Sequence, residues 1–149
     1  MRQAIALATA NVASGGGPFG AVVVRNGQVL ATGVNRVTVT NDPTAHAEIV
    51  AIRAACAKIA SFQLAGCVVY SSCEPCPMCL AALYWSRCQA VFYGNSAGDA
   101  AAIGFDDSFL YRQVALPMQA RALPMQRLIP EEAIASFDAW RNQPSKTEY

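Results

Sequence analysis

Two short segments of the sequence carry side chains that commonly bind metal ions. Residues 46–48 (His-Ala-Glu) supply an imidazole and a carboxylate, and residues 75–79 (Pro-Cys-Pro-Met-Cys) supply two thiols. One imidazole and two thiolates are ligand types that zinc prefers. Cys76 and Cys79 stand three positions apart at a predicted helix start, so both sulfurs lie on one face of the first turn, where the helix dipole favours thiolates. We therefore predict one zinc ion per subunit, held by His46, Cys76 and Cys79.

Three protein ligands leave the fourth position of a tetrahedral zinc site open to water. Zinc can lower the pKa of such a water from 15.7 to about 7, so that a nucleophile forms at neutral pH. The reaction also needs a group that moves protons, and Glu48, two positions after His46, is the candidate. Residues two positions apart on a regular helix point to nearly opposite sides, so this role requires a helix-start geometry that turns Glu48 toward the metal.

Other interpretations of these residues remain open at the level of sequence. Cys73 could be a fourth ligand, which would make a closed, structural Cys3His site without catalysis. Glu48 could be a buried, salt-bridged carboxylate. Cys76 and Cys79 form a C-x-x-C pattern and could be a redox dithiol, although His46 and Glu48 would then have no role.

Composition limits the kind of protein that holds this site. A chain of 149 residues suits one domain, residues 1–149, and a hydrophobic content of 54% excludes disorder. Only 14% of the residues are charged, which predicts that a partner subunit covers apolar surface. The net charge is +1 and no basic run is present, so no nucleic-acid partner is expected. The single His excludes mechanisms that need two histidines.

Targeting signals are weak in this sequence. No apolar stretch approaches the roughly 20 residues of a membrane span, so no membrane association is expected. The first residues resemble a signal peptide only faintly, because Thr9 and Asn11 interrupt a short apolar run that fits an amphipathic helix at least as well. Three of the six cysteines crowd into residues 73–79, which favours metal binding in a reducing cytoplasm over a disulfide framework.

Helices and strands alternate along the chain after an initial helix and hairpin. Asn26-Gly27 is a strong two-residue turn signal between two strands. Asp42 followed by Pro43 predicts the start of a helix that runs to about residue 60. The predicted helices span 2–14, 42–60, 77–86, 108–113 and a segment from 130, and the predicted strands span 21–24, 28–33, 67–70, 90–93 and 125–129.

This order of elements predicts an α/β fold, a three-layer α/β/α sandwich around a central mixed five-stranded sheet. The strands at 67–70 and 90–93, joined by a helix, should be parallel with a right-handed crossover. Helices that start beyond successive strands bring their N-termini together at one end of the sheet, where open α/β sheets bind ligands. The segments 35–42 and 94–107 are expected as loops, and 142–149 as a tail without a core pattern.

The two metal-binding segments match the H-x-E…P-C-x-x-C signature of zinc nucleobase deaminases. With these residues the chain resembles the cytidine-deaminase-like superfamily, and within it the bacterial guanine deaminases. The segment Gly-Phe-Asp-Asp-Ser-Phe and the C-terminal Tyr are the more specific pointers to guanine. The resemblance spans nearly the whole chain, and its matching stretches are 16–24, 41–48, 71–80, 91–93, 104–109 and the chain end.

The resemblance implies hydrolysis of guanine at C2, which releases ammonia and xanthine in purine metabolism. Glu48 would take the proton of the water, pass it to ring N3 and then assist the leaving amine. Asp107 would accept from N1–H and the 2-amino group and could also shuttle protons. The other implied substrate contacts are the Asn35 side chain, the Ala47 backbone N–H, the rings of Phe19 and Trp85, and Tyr149.

The resemblance also implies a homodimer with exchanged C-terminal segments. Residues 142–149 of one subunit would reach the other, and Tyr149 would close the other subunit's site. A frayed terminus without a function is the plainer interpretation. The low charge of the chain agrees with a second subunit on its surface.

Plainer roles and other functions stay open for the same residues. Asp106 and Asp107 could cap a helix, the two rings of Phe19 and Trp85 could be core, and Asn35 could be a turn residue. The competing functions are deamination of guanosine, of cytosine or of a tRNA or DNA base, and a zinc-stabilised binding module without activity.

Overall fold

The computed structural model of the chain describes residues 1–148. Within that range the chain forms seven α-helices and four β-strands. The helices are α1 (Arg2–Ala13), α2 (Val37–Thr40), α3 (Ala47–Ile59), α4 (Pro77–Ser86), α5 (Ala97–Ala102), α6 (Ser108–Ala115) and α7 (Pro130–Arg141), and a 3-10 turn spans Met118–Ala120. The strands are β1 (Gly20–Arg25), β2 (Gln28–Val34), β3 (Cys67–Cys73) and β4 (Ala90–Asn95). None of the described helices combines the length and hydropathy that a membrane span requires.

The strands form one mixed sheet in the order β2-β1-β3-β4. β1 pairs antiparallel with β2 and with β3, and β3 pairs parallel with β4, which confirms the predicted parallel pair. The hairpin between β1 and β2 turns at Asn26 and Gly27, whose φ angles of 51° and 76° are the positive values that a two-residue turn of type I′ requires.

The prediction of a fifth strand at 125–129 is wrong, because the sheet of the described residues has four strands. In the sheet order, β4 is the last strand on its side and 125–129 does not pair with it. Leu128 is 69% exposed, and Ile129 has a φ of 39°, in the left-handed region that strands do not use. The apolar composition of this segment indicated a strand, but a strand forms only where a neighbour accepts its hydrogen bonds.

Helices cover both faces of the sheet. A Cβ atom at Gly20 would meet the backbone of α1, and one at Gly33 would meet the backbone of α3, so both helices lie directly on the strands. Gly33 pairs with Ala21, the neighbour of Gly20, and successive strand residues face opposite sides, so α1 and α3 lie on opposite faces. α4 packs beside α3.

The core between the sheet and α3 is built largely from small apolar side chains. Its fully buried members are Ala21, Val23, Ala47, Ala51, Ala55, Leu64, Cys67, Val69 and Leu83. The small residues of α3 allow its backbone to approach the strands closely. The N-terminus of α3 is therefore held firmly against one edge of the sheet.

Helix α3 begins later than the sequence predicts. Asp42 does not cap it: its carboxylate accepts from the backbone N–H and the hydroxyl of Thr44, at 2.8 and 2.7 Å, and closes a local turn. His46 is the residue that precedes the first turn, with the extended φ and ψ of −68° and 157°. The Asp-Pro signal thus belongs to a turn before the helix, since an Asp side chain stabilises either structure in the same way.

Two short helices occupy segments that were predicted as loops. α2 forms within 35–42, and α5 forms within 94–107. The start of α5 carries a reciprocal pair of hydrogen bonds, from Asp99 N–H to the Ser96 hydroxyl and from Ser96 N–H to the Asp99 carboxylate. The Ser-x-x-Asp pattern at these positions was a sequence signal for this helix.

The chain divides into two compact units. The first, residues 1–111, contains the whole sheet, and the second begins at Arg112 and contains α7. α7 starts at Pro130 as predicted, with two acidic residues in its first turn. Within this second unit, Phe137 is 69% exposed and Trp140 is 45% exposed.

Candidate active site

The segments that carry the predicted site residues meet at one edge of the sheet. β1 begins there, just after Phe19, and β2, β3 and β4 end there. Asn35 follows β2, residues 74–76 follow β3, and Ser96 follows β4. One parallel pair and one antiparallel hairpin therefore bring four distant pieces of sequence to the same place.

His46, Cys76 and Cys79 form a group whose ligand atoms all lie within 4.8 Å of one another. The Nδ1 atom of His46 is 3.5 Å from the Sγ atom of Cys76 and 3.5 Å from that of Cys79. Zn–S bonds of 2.3 Å and Zn–N bonds of about 2.05 Å at the tetrahedral angle put sulfur and nitrogen about 3.6 Å apart. The donor set and its spacing therefore fit zinc.

The local backbone explains this convergence. His46 and Cys76 are the residues immediately before α3 and α4, both extended, and Cys79 lies in the first turn of α4 after Pro77. The positive ends of two helices thus meet at the ligand atoms. This field favours thiolate and disfavours a proton on sulfur.

The Cys76 and Cys79 thiols shift each other's pKa in opposite directions. The hydrogen bond from Cys79 lowers the pKa of Cys76 to about 4, and the neighbouring His46 ring acts in the same direction. The same hydrogen bond, together with burial, raises the pKa of Cys79. The hydrogen bond to Cys76 also raises the pKa of His46. A cation held between the two sulfurs would favour the thiolate form of both cysteines.

Glu48 lies in the first turn of α3 and is 6% exposed. Its Oε1 atom accepts from the hydroxyl of Ser71 on β3 at 2.8 Å. The concern that Glu48 and His46 would point to opposite sides does not apply, because His46 precedes the helix and has extended backbone angles. Ser71 was not predicted as a site residue, and its position in a buried strand offered no sequence signal for this contact.

Cys73 lies close to the metal ligands but outside their group. It is 5% exposed, and its Sγ atom lies 3.6 Å from the carbonyl oxygen of Ser96, to which it donates. Burial is the main cause of a raised pKa for this thiol. A neutral thiol that donates to a carbonyl is a packing group, so this geometry does not support the Cys3His interpretation.

A cavity of about 590 Å³ opens in front of the metal-binding group. Its lining combines the predicted site residues Phe19, Asn35, His46, Glu48, Cys76 and Asp107 with Gly15, Gly16, Gly17, Val37, Thr38, Cys73, Glu74, Ala97, Ala100, Gly104, Phe105, Asp106 and Leu110. Six residues selected from sequence thus share one cavity. The cavity is large enough to hold a planar heterocycle.

The aromatic wall differs from the predicted one. Phe19 is joined by Phe105, whose ring centroid lies 4.9 Å away in an edge-to-face arrangement. Phe105 was missed as a site residue, although its segment 104–109 was recognised as informative. Trp85 is 66% exposed on α4 and is absent from the cavity lining, and Tyr149 lies outside the described residues. Ala47 is fully buried at the start of α3.

The two aspartates before α6 have different surroundings. Asp106 accepts from the backbone N–H of Ser108 at 2.9 Å, so it supports the start of α6. Asp107 is half-buried in the cavity wall, where burial raises the pKa of its carboxyl and the nearby Cys76 acts in the same direction. The helix-cap interpretation therefore applies to Asp106, whereas Asp107 is a half-buried carboxyl of the cavity wall.

Two hydrogen bonds tie the segment after β4 to the loop that carries the metal ligands. Glu74 accepts from the backbone N–H of Ala97 at 3.0 Å. Tyr111 donates its hydroxyl to the carbonyl oxygen of Pro75 at 3.0 Å. The segment between Ala97 and Tyr111 contains Phe105 and Asp107, so both ends of this segment are anchored beside the metal-binding group.

Comparison with known proteins connects this site to a family. The zinc-binding region of cytidine and deoxycytidylate deaminases matches residues 1–95. The chain is 50% identical over its full length to the guanine deaminase of Bacillus subtilis strain 168, and the match covers 96% of that protein. A crystal structure of guanine deaminase from Bacillus subtilis superposes with a TM-score of 0.97 at 50% identity, and the match covers 99% of this chain and 95% of that one.

More distant relatives match about 70% of the chain. A structure of NE0047 in complex with 2,6-diaminopurine matches with a TM-score of 0.68 at 38% identity, over 70% of this chain and 59% of that one. The tRNA-specific adenosine deaminase of Haemophilus influenzae is 39% identical over 72% of this chain and 65% of its own length. Of these three proteins, the Bacillus subtilis enzyme alone matches nearly the whole chain.

Proposed function

The chain belongs to the cytidine and deoxycytidylate deaminase zinc-binding family, and from this premise we propose that its cavity binds guanine and hydrolyses it to xanthine and ammonia. One observation carries the proposal: a buried carboxylate, Glu48, and a second carboxyl, Asp107, share the cavity with a zinc-binding group. The full-length likeness to a guanine deaminase supports guanine over other bases. The substrate is thus a small purine base.

Zinc, when bound by His46, Cys76 and Cys79, supplies a Lewis acid that makes a water molecule nucleophilic at neutral pH. Glu48 takes a proton from this water as the oxygen adds to C2 of guanine, and delivers it to ring N3. Glu48 then moves the remaining proton of the former water from the C2 hydroxyl to the 2-amino group as the C2–N bond breaks, which leaves the C2 carbonyl of xanthine. Water and guanine are consumed, and ammonia and xanthine are released.

Ser71 and the burial of Glu48 suit this role. The hydroxyl of Ser71 holds one carboxylate oxygen at 2.8 Å and so orients the carboxylate, which lines the cavity. A hydrogen bond to a charged group contributes about 1.5–3 kcal/mol. Ser71 is therefore a positioning residue for the proton shuttle.

Asp107 accounts for the choice of guanine among purines. Guanine presents N1–H and its 2-amino group as neighbouring donors, and a carboxylate is the side chain suited to accept from both. The anchored segment between Ala97 and Tyr111 holds Asp107 against the zinc-binding loop.

The other proposed contacts with the substrate rest on the residues that line the cavity and on the resemblance to the family. The rings of Phe19 and Phe105 provide an apolar wall for the purine, and the Asn35 amide provides a polar contact. The backbone N–H of Ala47 is proposed as a further donor to the base. Trp85 and Tyr149 stay proposals from the resemblance.

A second copy of the chain is the proposed macromolecular partner, with exchanged C-terminal segments. The support is twofold: β4 is an edge strand whose Phe92 and Tyr93 are each 52% exposed, and the C-terminal unit exposes apolar side chains of its own. We propose that residues 1–149 act as one functional domain, in which 142–149 is a tail that reaches the partner subunit.

A cytoplasmic location is also part of the proposal. The site needs Cys76 and Cys79 as free thiolates, and a reducing compartment keeps them so. All six cysteines are free in the structure.

A substrate panel tests the proposed function. Zinc-loaded protein is mixed with guanine, guanosine, cytosine, adenine and a tRNA anticodon stem, and ammonia release is measured together with metal content. We expect release from guanine, and none above background from adenine or tRNA. A higher kcat/KM for guanosine or for an RNA base than for guanine would contradict the assignment of guanine as the substrate. One zinc per chain without turnover of any substrate would favour a structural zinc module.

A further inference from the structure

Asn11 joins two segments that reach the cavity separately. It lies on α1, two residues before the end of that helix, and its side chain is partly buried. Its Nδ2 group donates to the carbonyl oxygen of Gly17 and to that of Asn35, both at 2.8 Å. One amide thus connects the glycine-rich loop before β1 to the residue that follows β2.

The two connected segments carry proposed substrate contacts. The N–H of Phe19 donates to the carbonyl of Gly17 at 2.8 Å, and the N–H of Asn35 donates to the carbonyl of Phe19 at 3.1 Å. The Oδ1 atom of Asn35 accepts from the N–H of Val37 at 3.3 Å, so the orientation of this amide is set from the other side. Asn11, Gly17, Phe19 and Asn35 form one continuous hydrogen-bonded unit at the cavity wall.

The space around Asn11 is closely filled. A Cβ atom at Gly16 would collide with the Nδ2 atom of Asn11 and would lie 2.7 Å from its Cγ atom. Gly16 has no positive φ, so an alanine there is acceptable to the backbone and unacceptable only to the Asn11 side chain. The loop therefore passes Asn11 at a distance that only glycine permits.

We propose that Asn11 is a positioning residue of the purine site, which holds the Phe19 ring and the Asn35 amide at the spacing that a bound base requires. The inference rests on the proposed function, because the base is the ligand that these two side chains contact. The hydrogen bonds of the Asn11 side chain go to Gly17 and Asn35, and neither Glu48 nor a zinc ligand takes part in them. Loss of the Asn11 side chain should weaken substrate binding and leave the chemical step largely intact.

Two substitutions at Asn11 test this role. Asn11→Ala removes both donors, and Asn11→Asp keeps the shape but puts a carboxylate against two carbonyl oxygens. We expect KM for guanine to rise about tenfold in Asn11→Ala and further in Asn11→Asp, with kcat within about twofold of the parent protein and one zinc per chain. Thr9→Ala, which removes an exposed hydroxyl that donates to the carbonyl of Ile5 on the same helix, is the matched control and should leave KM unchanged.

Gly16→Ala perturbs the same contact from the opposite side. The added methyl group displaces the Asn11 amide, so KM should rise as it does in Asn11→Ala. In the double variant the shorter side chain leaves room for the methyl group, and the two effects should not add. Additive effects would show that the two residues act separately and would overturn the inference.

Binding of 2,6-diaminopurine provides a readout without turnover. In zinc-loaded Glu48→Gln protein, calorimetry should show the dissociation constant rising by the same factor as KM when Asn11 is replaced. An unchanged dissociation constant, or a fall in kcat with an unchanged KM, would overturn the role of Asn11. If the parent protein binds the purine but releases no ammonia from guanine, the proposed function fails, while the calorimetric comparison still decides the role of Asn11.

Discussion

Replacing Glu48 by Gln separates proton transfer from metal binding and from folding. The two side chains have the same shape, and the Ser71 hydroxyl, 2.8 Å from Oε1, can still donate to the amide oxygen. The three proposed zinc ligands do not include Glu48, so zinc should stay at one per chain. The substitution also removes a charged group that is only 6% exposed, so the folded state should not be destabilised.

The expected loss is in the chemical step. A positioned general base contributes about 10²–10⁴-fold, or roughly 2.7–5.5 kcal/mol of barrier, and Glu48 is proposed to act in both proton transfers. We therefore expect kcat for guanine to fall at least about 100-fold in Glu48→Gln, with KM changed much less. The assay is steady-state ammonia release, with metal analysis and a thermal melt on the same samples.

The matched control is Glu131→Gln, an isosteric change of an exposed carboxylate in the first turn of α7. It should change neither kcat nor zinc content. Glu48→Gln protein that holds zinc and turns over guanine within about tenfold of the parent rate would refute the assignment of the proton shuttle. Loss of zinc in this variant would show that Glu48 contributes to metal binding, which would contradict its assignment as a proton shuttle outside the ligand group.

Three further predictions concern the surroundings of this centre. Cys73→Ser should keep one zinc per chain in metal analysis, because the Cys73 thiol donates to a carbonyl outside the ligand group. Loss of the metal in this variant would favour the interpretation as a closed, structural Cys3His site. Asp107 has a raised pKa, so its carboxylate form is lost as the pH falls, at a higher pH than for an ordinary Asp. The acid limb of kcat/KM for guanine should therefore disappear in Asp107→Asn, together with most of the activity, and an unchanged pH profile would argue against this role. Deletion of residues 146–149 should reduce kcat/KM at least about tenfold while the melting temperature changes little, and a fully active truncated protein would exclude a closing tail.

Short sequence patterns predicted the turns and helix starts that depend only on neighbouring residues. The Asn26-Gly27 turn, the helix start at Pro130 and the parallel pair on either side of α4 all follow from short patterns, and the structure has each of them. The start of α3 was misplaced because the Asp42 side chain can stabilise a turn or a helix, and four residues cannot distinguish the two.

The candidate site likewise has a part that sequence motifs predicted and a part that they did not. The H-x-E and C-x-x-C motifs identified the zinc ligands, and the structure brings those atoms together. Phe105 lay in a recognised segment without an assigned role, whereas Trp85 was assigned to the cavity and is not in its lining. Aromatic residues serve cores, surfaces and ligands alike, so their type does not indicate which of these they contact.

By itself the sequence determined the chemistry, because donor types and their spacing within a helical turn are local properties. One imidazole, two thiols and a nearby carboxylate indicate a zinc centre before any fold is known, and Glu48 is the proton shuttle that we propose for it. Only the tertiary structure decided how that chemistry is positioned. The extended backbone at His46 allows Glu48 to serve the site, Ser71 orients it from a strand 23 positions away, and Asn11 joins two loops at the cavity wall. The absence of a fifth strand among residues 1–148 was likewise decided by pairing, since the hydrogen bonds of a strand come from a neighbour that its own sequence does not contain.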